Sequence, residues 1–388
     1  MENLNFPEGA PETVADPPAP EKPSTGETTS RRGKAFLLFG STILSLVVLE
    51  LGLRAILPSP GGEEMNVPDP EIGKTLRPGY EGVQQGVEVR INSHGMRGPE
   101  IPLEKPEGTF RILVLGDSWT FGVGTSQEET YPSRLENILR ERYPGRGIDV
   151  LNAGVSGYET YNEAVWFRRI GKRFRPDLVV VGFYPVNDLH DKKTKYERIA
   201  RERREHPIWT AICSFPDRHL YSYRYLDYFR NRAKRAYRVW KYSRPVFDAG
   251  PEELDDYYRI EWTSLYRDDF SGWKTAKESL ADISHDAADV GASALLAVFP
   301  DLRSLQHYRM ALRDRYYPTL ESVAIETGFT VLDVFPAFRE FEGREEEITL
   351  GGVKGGTHPN AEGFRSIAEL LADEIESLGV IPWPGPGT

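Results

Sequence analysis

Short apolar runs alternate with segments of helical periodicity over most of this chain. Runs with the length and composition of strands buried on both faces of a sheet lie at 110–116, 148–154, 177–184, 293–300 and 330–335. Segments in which apolar residues recur with helical spacing lie at 129–143, 162–174, 272–290, 308–327 and 360–378, and they predict helices. This alternation indicates an α/β fold in which helices cover both faces of a parallel sheet.

The alternation is interrupted between 189 and 270, where we predict a helical insertion. The first part of the insertion, 192–244, is rich in Lys, Arg and aromatic residues, whereas the second part, 248–269, is acidic. A basic surface that carries aromatic residues is one way to bind a polyanion. The alternative is that the two halves offset each other's charge in a solvated lid whose core is aromatic.

The N-terminal part of the chain has a different composition. Residues 1–34 are rich in Pro, Glu, Ser and Thr, which predicts a disordered tail. Residues 35–57 are almost entirely apolar and long enough to cross a bilayer as a helix. Basic residues precede them and acidic residues follow, which predicts a cytoplasmic tail and an extracytoplasmic main domain. A cleaved signal peptide, a buried core helix and an interfacial helix are the alternatives.

A linker and a short hairpin are expected at 58–107, between the apolar segment and the main domain. Residues 58–85 are rich in Pro and Gly, and 87–102 alternate and then turn, which predicts the hairpin. The polar residues of that turn, His94 and Arg97, are expected to be solvated. The main domain then occupies 108–380.

Composition restricts the chemistry that this chain can perform. A formal net charge of -11 argues against nucleic acid as a partner. Cys213 is the single cysteine, which rules out an intrachain disulfide and a cysteine-rich zinc site. The histidines show no metal-binding spacing, so we expect neither a metal nor a cofactor.

Polar residues follow the strand-like runs at the points where these runs end. In an open parallel sheet, ligands bind beyond the carboxyl ends of the strands, so residues far apart in sequence should meet there. The polar residues and glycines at or near those ends are Ser118, Asn152, Gly154, Asn187, Asp188 and His358.

These residue types suit nucleophilic catalysis on a carbonyl. A serine hydroxyl needs a base, and His358 is the candidate base for Ser118. A tetrahedral oxyanion needs fixed donors, for which we expect the backbone N–H groups of Ser118 and Gly154 and the amide of Asn187. Supporting positions are Asn152, Asp188 and Asp117. The alternative for Ser118, with Asp117 beside it, is a helix cap of no catalytic significance.

The blocks GDSWTFG, NAG, ND and THPN, in this order and on these elements, resemble the SGNH (GDSL-type) hydrolase superfamily. The resemblance covers residues 108–378 apart from the insertion. It implies a flavodoxin-like three-layer α/β/α sandwich with a five-stranded parallel sheet. It also implies a nucleophile at Ser118, oxyanion donors at Gly154 and Asn187, and a base at His358. The apolar segment and the element NSHGMRG resemble a bacterial, membrane-anchored branch.

One position departs from the pattern of that superfamily. Its members usually carry Asp three residues before the histidine, where this chain has Gly355. A backbone carbonyl would then orient His358 in a Ser–His dyad, or another acid, Asp188 or one of the glutamates at 345–347, would replace the missing one. The third alternative is a site that has lost its activity.

The resulting hypothesis is a serine esterase that removes an acyl group, such as acetyl, from an acylated small molecule or a glycan of the cell envelope. The first alternative is an O-acyltransferase that passes the acyl group to a polysaccharide from the same site. The second, motivated by Gly355, is a non-catalytic glycan-binding or scaffold protein.

Overall fold

The computed structural model describes residues 31–56, 65–189, 191–209 and 269–384 except 353–355, together with scattered residues between 211 and 233. The chain divides into two compact units, Met1–Pro58 and Ser59–Thr388.

The first unit contains one described helix, α1 (Arg31–Ile56). Its segment Gly33–Ile56 contains an 18-residue stretch with a mean hydropathy of 2.1 and is long enough to cross a membrane. By length and composition alone, a signal sequence near the N-terminus would pass the same test. Arg54 pairs with Glu50 one helical turn earlier at 2.9 Å, which offsets the charge of both side chains on one face of the helix.

The second unit is built on a five-stranded sheet in which every neighbouring pair is parallel. Two hairpins precede this sheet: β1 (Asn66–Asp69) pairs with β2 (Gly73–Leu76), and β3 (Glu81–Gln84) pairs with β4 (Val87–Arg90). The sheet strands are β5 (Thr109–Gly116), β6 (Gly147–Asn152), β7 (Leu178–Phe183), β8 (Ser293–Val298) and β9 (Thr330–Asp333). Their order across the sheet is β6-β5-β7-β8-β9, as in flavodoxin-like folds.

Helices connect the strands and follow the last of them. They are α2 (Ser118–Phe121), α3 (Tyr131–Arg142), α4 (Thr160–Arg169), α5 (Pro185–Asp188), α6 (Lys192–Glu205), α7 (Ser271–Asp289), α8 (Leu305–His307), α9 (Asp314–Glu326) and α10 (Ala361–Ser377). A π-helical turn at Tyr308–Arg313 joins α8 to α9. Within the described residues, 3-10 turns lie at Gln127–Glu129, Gly171–Phe174, Phe335–Phe341, Glu345–Glu347 and Leu350–Gly352.

Both faces of the sheet are buried, and the alternation of side chains along β5 shows this directly. Leu113 and Leu115 belong to one apolar cluster, with α4 and α7. Ile112 and Val114 belong to the other, with α3 and α10. Because successive residues of a strand point to opposite faces, continuous apolar runs such as this one require helices on both sides. The predicted three-layer α/β/α fold is confirmed.

The prediction of a linker at 58–85 is wrong for residues 66–85, which form β1, β2 and β3. Ile72, Leu76 and Tyr80 from this segment are buried in the same core as α4. The apolar residues of this segment are few and are separated by turn residues. The Pro and Gly content therefore predicts a linker, although the segment forms short strands. The predicted hairpin at 87–102 is also displaced, because Val87–Arg90 pairs with the strand before it rather than the segment after it.

Arg97 is likewise buried, with 2% of its surface exposed, which contradicts the expectation of a solvated turn residue. The insertion begins as the helix α6, which agrees with the predicted helical character. Its acidic part at 248–268 lies outside the described residues, so the proposed balance of charge between its halves stays a prediction.

If the first hairpin is part of the core, truncating Ile72 should destabilise the whole domain. Ile72 is 1% exposed, and an Ile→Ala change at such a position costs about 2–5 kcal/mol. We expect Ile72→Ala to lower the free energy of unfolding in urea by about that amount. The matched control is Val83→Ala, since Val83 is 64% exposed and should change stability little. Equal stability of the two variants would contradict the assignment of this hairpin to the core.

Candidate active site

Ser118 stands where β5 ends and is the first residue of α2. The turn between them needs a glycine, because Gly116 has φ 155° and a Cβ there would overlap the Thr120 hydroxyl. Asp117 caps the helix by accepting a hydrogen bond at Oδ1 from the N–H of Trp119 at 2.8 Å. The sequence thus presents the Ser118 hydroxyl at the carboxyl edge of the sheet.

Trp119 anchors α2 to the sheet. Its side chain is fully buried and stacks between Tyr184 and Phe299, with ring centroids 5.2 and 5.0 Å away. Both partners follow strands of the sheet, so the short helix is anchored to two neighbouring strand ends. Such aromatic stacking adds to the apolar burial and limits the movement of the residue next to Ser118.

His358 meets Ser118 at this edge, although the two residues are 240 positions apart. The distance between His358 Nε2 and Ser118 Oγ is 2.9 Å. The backbone of His358 is held by the N–H of Leu350, which donates to its carbonyl at 2.8 Å. Asn360 then caps α10 by accepting from the N–H groups of Glu362 and Gly363. The histidine therefore sits on a braced turn outside the last helix.

Among the described residues, the second ring nitrogen of His358 hydrogen-bonds a hydroxyl and not a carboxylate. Nδ1 lies 3.0 Å from Thr357 Oγ1. For Nε2 to accept the proton of Ser118, the neutral ring must carry its own proton on Nδ1. The Nδ1–H group then donates a hydrogen bond to the Thr357 hydroxyl. Sequence reasoning missed Thr357; the threonine in THPN was the available signal. Gly355, where the superfamily has its aspartate, lies outside the described residues.

The acids proposed as replacements are engaged elsewhere. Asp188 accepts from the N–H of Tyr184 at 2.7 Å and from the Thr160 hydroxyl at 3.0 Å. Glu345 accepts from the N–H of Leu305 at 2.9 Å. The remaining members of the set, Glu346 and Glu347, are exposed, and Glu347 pairs with Arg344. Within the described part of the chain, none of these acids hydrogen-bonds His358.

Burial lowers the pKa of His358 below its ordinary value of 6.5, because desolvation penalises the charged imidazolium. A neutral ring at neutral pH keeps Nε2 free to accept a proton. Asp188 shows the opposite effect: burial first, and the charge of Asp117 second, raise its pKa well above the ordinary value. We therefore regard Asp188 as a structural carboxyl group that ties α5 to α4.

Asn187 is hydrogen-bonded to Asp117, the residue that precedes Ser118. Its Nδ2 donates to Asp117 Oδ2 at 3.0 Å and to the carbonyl of Tyr158 at 2.6 Å. Both amide hydrogens thus have acceptors within the protein. Asn187 can donate to an oxyanion only by exchanging one of these contacts.

Gly154, whose predicted role as an oxyanion donor stays a prediction, has its N–H in a hydrogen bond within the protein. Its N–H donates to Asn152 Oδ1 at 3.0 Å, and a Cβ at this position would overlap the backbone N of Phe121. Asn152 in turn donates from Nδ2 to the carbonyl of Thr120 at 2.8 Å. The glycine therefore allows the end of β6 to pack closely on α2. In the structure described, Asn152 contacts the helix that carries Ser118, and Gly154 leaves room for that contact.

Among the described residues, one group has the geometry to attract a metal ion: His285, Asp286 and Asp289 on α7. Asp286 and Asp289 both bind Lys172, at 2.9 and 2.8 Å, so cationic side chains already neutralise this group. The Ser118–His358 pair itself involves no ligand set of this kind in the described chain.

Comparison with known proteins identifies the family of this chain. The model of the GDSL-like lipase/acylhydrolase family matches residues 114–365, which is more than half of the chain. The chain therefore belongs to this family, and the matched segment runs from β5 into α10.

Individual relatives are more distant. An arylesterase of Vibrio mimicus is 32% identical over 75 residues, which is 19% of this chain and 36% of that protein. The match thus spans about a third of the arylesterase. Among solved structures, TesA is 14% identical, covers 69% of this chain and is itself 99% covered, with a TM-score of 0.39. A catalytic mutant of Axe2, an acetylxylan esterase from Geobacillus stearothermophilus, is 14% identical over 71% of this chain and 95% of its own, with a TM-score of 0.39.

If Thr357 orients His358, removing its hydroxyl should slow any reaction that uses this histidine as a base. We expect Thr357→Val to lower kcat/KM on an activated acetyl ester about fivefold, because a hydrogen bond is worth about 1 kcal/mol. Thr357→Ser, the control, keeps the hydroxyl and should retain most of the activity. Loss of activity by the two variants to the same extent would show that the hydroxyl does not orient the ring.

Proposed function

We propose that this protein is a serine ester hydrolase in which Ser118 is the nucleophile and His358 the general base. The observation that carries the proposal is the 2.9 Å contact between Ser118 Oγ and His358 Nε2. It lies within the range in which a base removes a hydroxyl proton. The lowered pKa of His358 supports the same role, because a neutral imidazole is the form that accepts the proton.

The reaction proceeds in two balanced halves. His358 Nε2 takes the proton of Ser118 Oγ, which forms a bond to the acyl carbon of the substrate. The bond between that carbon and the alcohol oxygen then breaks, and the alcohol leaves with the proton held by His358. Water repeats the sequence on the acyl-serine, so that the acid is released and the hydroxyl of Ser118 is restored.

The oxyanion of the tetrahedral intermediate needs donors that are fixed in advance. Ser118 is the first residue of α2, so its N–H has no carbonyl partner within that helix, and we propose it as the first donor. We propose Asn187 as the second, after its amide exchanges the carbonyl of Tyr158 for the substrate oxygen. Gly154 would be the third donor, after its N–H exchanges the side-chain oxygen of Asn152 for the substrate oxygen.

For the imidazolium that forms in each half, we propose Thr357 as the orienting group. A threonine hydroxyl holds the ring in the required tautomer, but it adds no negative charge to stabilise a cation. Loss of the aspartate in a serine protease triad lowers kcat about 10⁴-fold without abolishing catalysis. A modest rate on good leaving groups is therefore what we expect of this site.

The substrate class we propose is a small acyl ester, such as an acetyl ester, on a glycan or other envelope molecule. Support comes from α1, which is long and apolar enough to hold the hydrolase at a membrane. The charge pattern around it favours a domain outside the cytoplasm.

Covalent labelling tests the proposed nucleophile. A fluorophosphonate probe should label the native protein at Ser118, and Ser118→Ala should lose both labelling and hydrolysis of an activated acetyl ester. The control Ser126→Ala removes a serine hydroxyl that hydrogen-bonds Glu129 and should leave both unchanged. Hydrolysis that persists in Ser118→Ala would contradict the proposal, and product that accumulates on an added sugar would make the protein an acyltransferase.

The proposed topology has its own test. Protease added to intact spheroplasts should digest the domain while a cytoplasmic marker protein stays whole. Because the positive flank of α1 is expected to remain inside, the domain should be accessible without lysis. Protection of the domain until the cells are lysed would place it in the cytoplasm and exclude an envelope substrate.

A further inference from the structure

Arg97 is a buried cation whose side-chain hydrogen bonds, among the described residues, go to carbonyls just after Ser118. Its Nη1 donates to the carbonyls of Phe121 and Gly122, each at 2.6 Å, and its Nη2 donates to the carbonyl of Thr125 at 2.6 Å. The guanidinium also lies over the ring of Phe121, 4.9 Å from its centroid. Its hydrogen bonds in the described chain are to carbonyl oxygens and not to a carboxylate.

Two of these contacts lead directly to the nucleophile. The N–H groups of Gly122 and Val123 donate to the carbonyl of Ser118 at 3.0 and 3.1 Å. The Gly122 N–H shares a peptide group with the Phe121 carbonyl, and the Val123 N–H shares one with the Gly122 carbonyl. Each of these two planar groups is thus held by Arg97 on one side and by Ser118 on the other. Hydrogen bonds that continue through a peptide group in this way strengthen one another.

The helix α2 depends on such external donors because it has only four residues. The last carbonyls of a helix have no partner within it. Here Asn152 satisfies the carbonyl of Thr120, and Arg97 satisfies that of Phe121. The backbone N–H of Arg97 additionally donates to the carbonyl of Asn152 at 3.1 Å, so one residue ties α2 to the end of β6.

A second cation from the same N-terminal region holds the loop on the other side of the site. Lys74 Nζ donates to the carbonyl of Ser156 at 2.6 Å, and the hydroxyl of Tyr158 donates to the backbone carbonyl of Lys74 at 2.8 Å. These contacts bracket Gly157, whose φ of 78° favours glycine. Tyr158 is also the residue whose carbonyl accepts from Asn187.

Burying a guanidinium among carbonyls is costly, since desolvation of a cation is repaid only by well-placed acceptors. Burial accordingly lowers the pKa of Arg97 to about 10, which still leaves it charged at neutral pH. An apolar residue would avoid the desolvation of a cation, but it would leave the carbonyls of Phe121, Gly122 and Thr125 without this donor. The directional contacts of the guanidinium therefore explain its presence.

We propose that residues 66–97, which precede the segment matched by the family model, are a working part of the active site. Arg97 is a positioning residue for Ser118, and Lys74 is a positioning residue for the loop at 156–158 that holds Asn187. The inference rests on the proposed function, because it concerns the geometry of the same nucleophile.

A merely structural role is the competing explanation, and Arg111 provides a matched control. Arg111 is also fully buried, and it donates to the carbonyls of Leu103 and Phe174 and to Asp149. It lies near the start of β5, at the other end of the strand from Ser118. Substituting either arginine by lysine keeps the charge and removes the fork that binds several acceptors at once.

The experiment compares Arg97→Lys and Arg111→Lys with the native full-length protein. For each, kcat and KM on an activated acetyl ester, the rate of fluorophosphonate labelling at Ser118 and the midpoint of thermal unfolding are measured. We expect Arg97→Lys to lower kcat and the labelling rate about 100-fold with little change in KM, since small misplacements of a reacting group cost that much. Arg111→Lys should lower the unfolding midpoint and leave kcat within about twofold.

The lysine is tested in parallel. Lys74→Met should lower kcat about tenfold, and Lys74→Arg, which keeps a cation of similar reach, should restore most of it. If Arg97→Lys does not fold, as judged by its near-UV circular dichroism, the two Lys74 variants test the inference instead. Lys74 is only half-buried, so we expect its variants to fold.

The outcomes distinguish a failure of the positioning roles from a failure of the proposed hydrolase function. A kcat for Arg97→Lys close to that of the native protein, an equal loss in Arg111→Lys, or equal activity of Lys74→Met and Lys74→Arg would overturn the inference while leaving the hydrolase intact. A native protein that neither hydrolyses the ester nor is labelled at Ser118 would overturn the proposed function, and this inference with it.

Discussion

The contact between Ser118 Oγ and His358 Nε2 depends on almost every other feature of the domain. It joins residues 240 positions apart at 2.9 Å, and a small shift of either backbone would break this hydrogen bond. The parallel sheet supplies the common edge, and the buried faces of its strands fix that edge between two helical layers. On this frame, Asp117 and Trp119 position the serine, and Leu350 and Asn360 position the turn of the histidine. The site therefore depends on the packing of segments that are far apart in the sequence. Few of its contacts join residues that are close in the sequence.

Much of the fold follows from the sequence, because parallel strands such as β7 are apolar throughout and their helices have a clear amphipathic period. Within a few residues, the predicted strands coincide with β5 to β9. The hairpins at 66–90 did not follow, since strands of four residues interrupted by turns carry too few apolar positions for a period to be seen. The burial of Arg97 could not be foreseen either, because its acceptors are backbone carbonyls, which the sequence does not distinguish.

For the candidate site, the positions of the residues followed from the sequence, whereas their hydrogen-bond partners did not. Ser118, Asn187 and His358 were expected at strand ends, and the structure places them within one connected group. Their catalytic roles are a proposal. Which hydrogens are already in use was beyond the sequence: the N–H of Gly154 serves Asn152, and the amide of Asn187 serves Asp117 and Tyr158. Thr357 escaped notice because a carboxylate was expected at position 355, whereas the contact is made by the immediate neighbour of the histidine.

The central claim is that His358 is a neutral, buried base whose orientation comes from a hydroxyl. Its most direct test is a pH titration of the imidazole by ¹⁵N NMR, with the His358 signals assigned by comparison with His358→Gln. The account predicts a neutral ring at neutral pH, with the proton on Nδ1 and a pKa below the ordinary value of 6.5, because burial is the dominant influence. A carboxylate partner would favour the imidazolium and raise the pKa instead. A pKa above the ordinary value of 6.5, or a proton on Nε2 in the neutral ring, would contradict this assignment of His358.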